Sequence, residues 1–210
     1  MTSPDTFKSG ADMVYLLDDE PGMLKALQRL LTAEGFRVRP FTTMSAFLDA
    51  YRTGEPACLV LDVSMPDLDG MEVQEKLHRD GLLIPIVFLT GRGSIPLSVR
   101  AIKAGAIDFL TKPVDDADLL RAVRAGLEQA ADHAALATSM ARLTPRERQV
   151  MKHVVAGRLN KQIAAELGTG EQTIKVHRAR LMQKLNLDSV ADLVRAAEKS
   201  GLHRQPLAGG

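Results

Sequence analysis

Five residues at the ends of short apolar runs in the first half of this chain have side chains suited to phosphate chemistry. Met13-Val14-Tyr15-Leu16-Leu17 leads into Asp18-Asp19-Glu20, and Ala57-Cys58-Leu59-Val60-Leu61 leads into Asp62. Ile84-Pro85-Ile86-Val87-Phe88-Leu89 leads into Thr90, and Ile107-Asp108-Phe109-Leu110 into Thr111-Lys112-Pro113. A carboxylate such as Asp62 can act as a nucleophile towards phosphorus. Crowded carboxylates repel one another unless a cation sits among them. An all-oxygen ligand set suits Mg²⁺, which also bridges to phosphoryl oxygens. The Thr90 hydroxyl can hydrogen-bond a phosphoryl oxygen, and the Lys112 ammonium can pair with its charge. Each residue alone has an ordinary reading, because Asp at a strand end forms turns and Lys is usually solvated. Their order along the chain, Asp-Asp, Asp, Thr, Lys, is what points to a site.

A second constellation lies near the C-terminus, in Glu171-Gln172-Thr173-Ile174-Lys175-Val176-His177-Arg178-Ala179-Arg180-Leu181-Met182-Gln183-Lys184-Leu185. At the helical period Ile174, Leu181 and Leu185 share one face. Gln172, Lys175, Val176, Ala179 and Gln183 fall opposite, flanked by Thr173, Arg178 and Arg180. A small outward face with basic shoulders can enter a major groove. There Lys175 can donate to guanine, and Val176 and Ala179 can touch thymine methyl groups. The arginines and Thr173 can hold phosphates, which fix register rather than sequence. His177 has no second histidine at ligand spacing, so packing or phosphate contact suits it better than metal binding.

The elements that must position these groups follow from patterning. The apolar runs read as buried parallel strands, with a further strand at 36–39. Between them lie helical patterns at 21–34, 44–51, 70–79, 95–104 and from 115 onward. Strand–helix alternation repeated five times predicts an α/β doubly wound, five-stranded parallel sheet of flavodoxin-like type. Ligands bind such sheets at the carboxyl ends of the strands, which brings the five phosphate-suited residues to one edge. Residues 128–142 are Ala-rich and lack Gly and Pro, so they read as a helical linker, frayed near Thr138-Ser139. A small all-α domain of four helices follows at 143–201. Thr144-Pro145-Arg146-Glu147 is a capping box opening the first helix. Asn160 is expected to cap the second helix, 171–185 forms the third, and Ser189 caps the fourth. A short helix, a Gly-containing turn and a longer basic helix match a helix-turn-helix. Residues 1–11 and 202–210 read as disordered.

The bulk numbers fit two small domains. The chain has 210 residues, 45% hydrophobic and 25% charged. Residues 1–140 hold 14 Lys and Arg against 20 Asp and Glu, a net −6, whereas 141–210 hold 13 against 6, a net +7. An acidic part joined to a basic part implies different partners, and a small basic domain is a common footprint of nucleic-acid binding. No stretch approaches a membrane span and the N-terminus has no apolar signal core, so a cytoplasmic protein without a membrane partner is expected. Cys58 is the sole cysteine, which leaves no intrachain disulfide.

These residues resemble a known family. Leu17-Asp18-Asp19, Asp62 followed by Met65-Pro66-Asp67-Leu68-Asp69-Gly70-Met71-Glu72, Leu89-Thr90-Gly91 and Lys112-Pro113 make residues 12–127 look like the receiver domain of bacterial two-component response regulators. Leu143-Thr144-Pro145-Arg146-Glu147-Arg148-Gln149-Val150, Asn160-Lys161-Gln162-Ile163-Ala164 and Thr173-Ile174-Lys175-Val176-His177-Arg178 resemble the LuxR-type helix-turn-helix. The whole is similar to the NarL/FixJ class, most of all to FixJ-like members. The resemblance implies that Asp62 is the phosphoacceptor. It further implies that Asp18, Asp19, Asp62 and the backbone carbonyl of Ser64 serve Mg²⁺, with Asp18 acting through water. Thr90 and Phe109 would switch, Lys112 would contact the phosphoryl group, and the Lys112–Pro113 bond would be cis. Lys161, Thr173, Lys175, Val176, His177, Arg178, Ala179 and Arg180 would meet DNA. The variable positions Ser64 and Arg92 would flank the phosphate. A sensor histidine kinase and double-stranded DNA are the implied partners, with a homodimer on phosphorylation and RNA polymerase as a further candidate. No enzyme activity beyond self-phosphorylation and autodephosphorylation is expected. Two other classes share part of this set. A dehalogenase-type aspartate phosphotransferase also combines Asp, Thr, Lys and Mg²⁺, but it needs a second Asp where Ser64 stands. A ligand-sensing DNA-binding regulator would not need the full acidic set.

Overall fold

The computed structural model describes residues 12–52, 55–65, 68–91 and 95–199. The expected disordered ends, Pro66, Asp67, Arg92 and the end of the last helix at Ser200-Gly201 lie outside the described residues. The chain divides into two compact units, Met1–Asp132 and His133–Gly210.

In the first unit the long strands are β1 (Met13–Leu17), β2 (Arg37–Phe41), β3 (Ala57–Asp62), β6 (Ile86–Thr90) and β7 (Asp108–Thr111). A two-residue pair, β4 (Ser64–Met65) and β5 (Leu68–Asp69), forms a small antiparallel ladder that the strand pattern did not reveal. The five long strands are all parallel in the order β2-β1-β3-β6-β7. β1 and β3 are buried along their whole length, which is why they read as continuous apolar runs. β2 stands at the sheet edge with Arg37, Arg39 and Pro40 largely exposed, a composition that discourages pairing with another chain.

Alternation along the strands sends side chains to opposite faces. Tyr15, Leu17, Leu59, Leu61, Ile86 and Phe88 face one layer with Phe47, Met71, Val73, Leu77 and Ala101. Those partners come from α2 (Met44–Ala50), α3 (Gly70–Arg79) and α4 (Ile95–Lys103). Val14, Leu16, Cys58, Val60, Val87 and Leu89 face the other layer, with Leu24, Leu27 and Leu31 of α1 (Pro21–Ala33) and Leu119, Val123 and Leu127 of α5 (Asp116–Ala141). The sheet is therefore doubly wound. Gly105 ends α4 with φ 93, a left-handed conformation that glycine adopts without strain.

At Thr138-Ser139, where fraying is expected, the chain is helical. α5 is one continuous helix to Ala141, and the Thr138 hydroxyl donates to the carbonyl of Ala134 at 2.9 Å, closing its donor within the helix. The division between the two units falls inside this helix and inside the expected linker.

The second unit holds α6 (Pro145–Val155), α7 (Asn160–Glu166), α8 (Glu171–Leu185) and α9 (Val190–Lys199). Thr144 and Glu147 form the expected capping box, and Ser189 Oγ accepts from Asp192 N. Asn160 does not cap α7. It is the first helical residue, Leu159 precedes it in extended conformation, and the Gln162 side chain accepts from the Leu159 amide at 2.8 Å. Leu143, Val150, Met151, Val154, Ile163, Ile174, Leu181, Leu185 and Leu193 form the core. Among the described residues no helix is long and apolar enough to cross a membrane.

Candidate functional site

Parallel strands bring their carboxyl ends to one edge. β1 and β3 are neighbours there, and their crossover connections leave in opposite directions, the switch point at which such sheets bind ligands. Asp18 follows β1 and Asp62 ends β3, and both are buried. Asp19 is more open to solvent, and one carboxylate oxygen from each of the three lies within 4.8 Å of the others. The Asp18 carboxylate accepts from the Glu20 amide at 2.8 Å, and Asp62 Oδ1 accepts from the Ser64 amide at 3.3 Å. The turn after each strand thus fixes its own carboxylate. Ser64 is exposed, so it stands at the mouth of the cluster.

Lys112 follows β7 and reaches across β6 into this cluster. Its Nζ lies 2.8 Å from Asp18 Oδ2, 3.1 Å from Asp62 Oδ2 and 3.9 Å from Glu20 Oε1. Burial works to lower the Lys112 pKa, but the hydrogen bonds and charges of Asp18 and Asp62 outweigh it, and the pKa stands above its usual value. The Lys112–Pro113 bond is cis. Thr90 is buried, and its carbonyl accepts from the Lys112 amide at 2.7 Å. Phe109 pairs in register with Phe88, the ring centroids 6.1 Å apart, and packs half-buried on the α3–α4 side of the sheet.

The sequence pattern missed the backbone fit behind Asp62. A Cβ placed on Gly70 would lie 2.9 Å from Val63 Cα and 3.2 Å from the Asp62 carbonyl oxygen. The start of α3 therefore rests directly on the chain that carries Asp62, at a distance only glycine allows. A Gly following an Asp-rich turn is a weak signal for this, since turns are rich in glycine anyway.

The basic unit presents a different surface. Ile174, Leu181 and Leu185 of α8 are buried, and Gln172, Thr173, Lys175, Val176, Ala179, Arg180 and Gln183 are exposed, as the helical period requires. Lys161, the second residue of α7, is also exposed, and His177 is half-buried. Arg178 is half-buried too, and its Nη1 donates to Asn160 Oδ1 at 2.6 Å, so it ties α8 to the start of α7. Asn160 thus holds this arginine instead of capping its own helix. Lys175 Nζ lies 3.6 Å from Glu171 Oε1. At the far end of α8, Lys184 Nζ donates to Glu147 Oε2 at 2.7 Å, and Glu147 is buried. Burial alone would raise the Glu147 pKa, but the hydrogen bonds from Lys184 and Thr144 prevail and hold it below the usual carboxylate value.

Comparison with known proteins matches these two constellations to two families. Residues 14–124 match the response regulator receiver domain, and 141–197 match the LuxR family of bacterial regulatory proteins. The chain is 45% identical over 194 residues to the response regulator protein TmoT of Ectopseudomonas mendocina, covering 89% of this chain and 88% of that one. It is 40% identical over 196 residues to the transcriptional regulatory protein FixJ of Bradyrhizobium diazoefficiens, covering 90% and 96%. The structure of the response regulator StyR superposes with a TM-score of 0.57 at 44% identity, covering 90% of this chain and all of that one. Receiver domains generally bind Mg²⁺ at an acidic pocket of the kind that Asp18, Asp19 and Asp62 form here. The chain belongs to the two-component response regulators, as a transcriptional regulator that joins a receiver to a LuxR-type DNA-binding domain.

Proposed function

We propose that Asp62 is the phosphoacceptor and that its phosphorylation controls DNA binding by α8. The observation that carries this reading is the convergence of three carboxylates and one ammonium at the sheet's switch point. A carboxylate oxygen of Asp62 attacks phosphorus in the phosphohistidine of a sensor kinase. The P–O bond forms as the P–N bond breaks, and the imidazole leaves with the bonding pair and takes up a proton. Lys112, already charged between Asp18 and Asp62, pairs with the incoming phosphoryl oxygens. The three carboxylates fit a hard divalent ion, and Asp18, Asp19, Asp62 and the Ser64 carbonyl would hold Mg²⁺, which neutralises charge on the phosphoryl group. Thr90 and Phe109 sit on the two strands beyond Asp62, where a new phosphoryl group can draw the hydroxyl and let the ring move. Incubation with acetyl phosphate and Mg²⁺, followed by intact mass measurement, tests this. Wild type gains one phosphoryl group and Asp62→Asn gains none. An equal gain in Asp62→Asn refutes the assignment.

The DNA reading rests on the exposed face of α8. Lys175, Val176 and Ala179 face the bases, while Lys161, Thr173, His177, Arg178 and Arg180 hold the backbone. One small module reads few base pairs, so specificity requires two coupled modules, and a homodimer formed on phosphorylation supplies them. The receiver face around α4 suits this role, because Ile95, Val99 and Ile102 are exposed along it. α9 is the weaker candidate. Leu193, Ala196 and Ala197 are buried in its own domain, which leaves Val190 exposed. Sedimentation with and without phosphate on Asp62 distinguishes a dimer from a persistent monomer, and the latter would sink this mechanism.

A further inference from the structure

The face of α8 that carries Lys175 also carries a carboxylate that the reading above leaves idle. Glu171 is the first residue of the helix and lies one turn before Lys175. The two side chains are 49% and 55% exposed, and their charged atoms are 3.6 Å apart. A recognition helix offers its N-terminal residues to base edges. In a domain of net +7, an acidic residue at that tip must pass between two phosphate strands that repel it. The floor of the major groove compensates with one well-matched partner, the exocyclic amine at N4 of cytosine, which donates to a carboxylate. Thymine and guanine present acceptors there instead and are rejected by the same charge, and adenine sets its N7 acceptor beside its N6 amine, which suits an amide better than a carboxylate.

We propose that Glu171 is a specificity-determining residue that accepts a hydrogen bond from cytosine N4, on the base pair next to the guanine read by Lys175. This rests on α8 being the recognition helix. In zinc-finger helices, side chains three or four residues apart in the major groove address successive bases, and Glu171 and Lys175 have that spacing. The free-state pair between them is solvent-exposed and weak, so releasing it to contact bases costs little. The pair also keeps the carboxylate beside an ammonium until a base donor takes over.

The test is selection of duplexes from a random pool by the full chain, treated with acetyl phosphate and Mg²⁺, followed by affinity measurement at each position. Wild type is compared with Glu171→Ala, Glu171→Gln and Lys175→Ala, with helical content and melting followed by circular dichroism. Glu171→Ala is expected to flatten the cytosine preference at one position by about fivefold or more, leaving the Lys175-dependent guanine intact. Glu171→Gln is expected to move that preference towards adenine, whose N6 and N7 suit an amide. An unchanged cytosine preference in both variants overturns the proposal and leaves Glu171 as a helix-end charge only. Relaxation confined to the position that Lys175→Ala relaxes also overturns it, because Glu171 would then merely orient Lys175. If Lys175→Ala changes no position either, α8 is not the base reader and the underlying reading falls separately.

Discussion

Lys112 and Lys175 are both paired lysines in proposed sites, yet their surroundings are opposite. The Lys112 side chain is 11% exposed and touches two carboxylates that are 3% and 5% exposed. Lys175 is more than half exposed and has one carboxylate neighbour beyond hydrogen-bond distance. In the receiver the charges are already desolvated and held against one another, an arrangement that suits the small charged group proposed for it. On α8 the charges remain hydrated, and the partner proposed for them is another molecule. The same ammonium is thus a structural member in one unit and a removable probe in the other. Substitutions at the two positions should therefore differ first in stability.

The largest effect is expected from Lys112→Met. It leaves Asp18 and Asp62 buried and facing each other, and breaking a buried pair in this way costs about 3–5 kcal/mol. Lys175→Met should cost under about 0.5 kcal/mol, as exposed pairs contribute little. The Lys112 pKa lies above its ordinary 10.5. Its contribution is therefore whole below pH 10.5 and is lost only as pH rises through the higher folded value. Urea titrations of both variants at neutral pH check the contrast, and Mg²⁺ should restore more stability to Lys112→Met than to wild type. Equal costs at the two positions would erase the distinction between the sites.

The second prediction concerns how tightly the sheet behind Asp62 is packed. A Cβ on Gly126 of α5 would lie 2.6 Å from Cys58 Sγ on β3. Gly126→Ala should destabilise by about 1–3 kcal/mol, because an added methyl group in a filled core forces a shift. Adding Cys58→Ala removes the obstructing sulfur, and the double variant should recover about 1 kcal/mol or more relative to additivity. Burial also pushes the Cys58 thiol up to about 12. The folded protein should resist thiol reagents at neutral pH, and reaction should begin only on unfolding. A double-mutant cycle by chemical denaturation, with thiol labelling as a second readout, measures both.

These contacts mark the limit of what the sequence reveals. The strand ends at Asp18, Asp62 and Thr90 are legible because fully buried parallel strands leave apolar runs, and the first polar residue marks the carboxyl end of each run even though it is itself buried. Lys112 lies one residue beyond Thr111, the last residue of the half-buried edge strand β7. The face of α8 was legible for the same reason at the helical period. Gly70 and Gly126 were not, since a close approach depends on what a distant strand presents. Asn160 was misread as a cap because its residue type suits that role, while its partner, Arg178, lies on another helix. The Lys184–Glu147 pair was hidden by a successful local reading: the capping box explained Glu147 without reference to α8. Thr138 and Ser139 suggest fraying by propensity, yet both lie within α5, which continues to Ala141.

That Lys184–Glu147 pair supplies a third prediction, and it cuts across the comparison because it places a buried charge in the DNA-binding unit. Lys184→Met should lower stability by about 1–2 kcal/mol at neutral pH, by leaving the Glu147 carboxylate without its charged partner. Glu147 has a folded pKa below its ordinary 4.5. The stability it contributes is present above pH 4.5 and is lost as pH falls through the lower folded value. Wild type and Lys184→Met should therefore converge in acid. Thermal melts from pH 7 to pH 3 read this directly. A difference that persists unchanged to pH 3 would mean that Lys184 acts through packing of its aliphatic stem.

The smallest effect, and the one that sharpens the reading of α8 most, belongs to Arg180. It is exposed on the shoulder of the helix rather than on the face of Lys175. A phosphate contact carries no sequence information, so Arg180→Ala should weaken binding a few-fold on specific and scrambled duplexes alike. It should also reduce the slope of log affinity against log salt by about 1, since one fewer counterion is released. Lys175→Ala should leave the scrambled duplex nearly unaffected and cost about 1–3 kcal/mol on the specific one. Titrations of both variants on both duplexes at several salt concentrations separate the two behaviours. If Arg180→Ala changes the ratio of specific to scrambled affinity while the salt slope stays fixed, the shoulder reads bases as well, and the division of α8 into a reading face and a phosphate-holding flank is wrong.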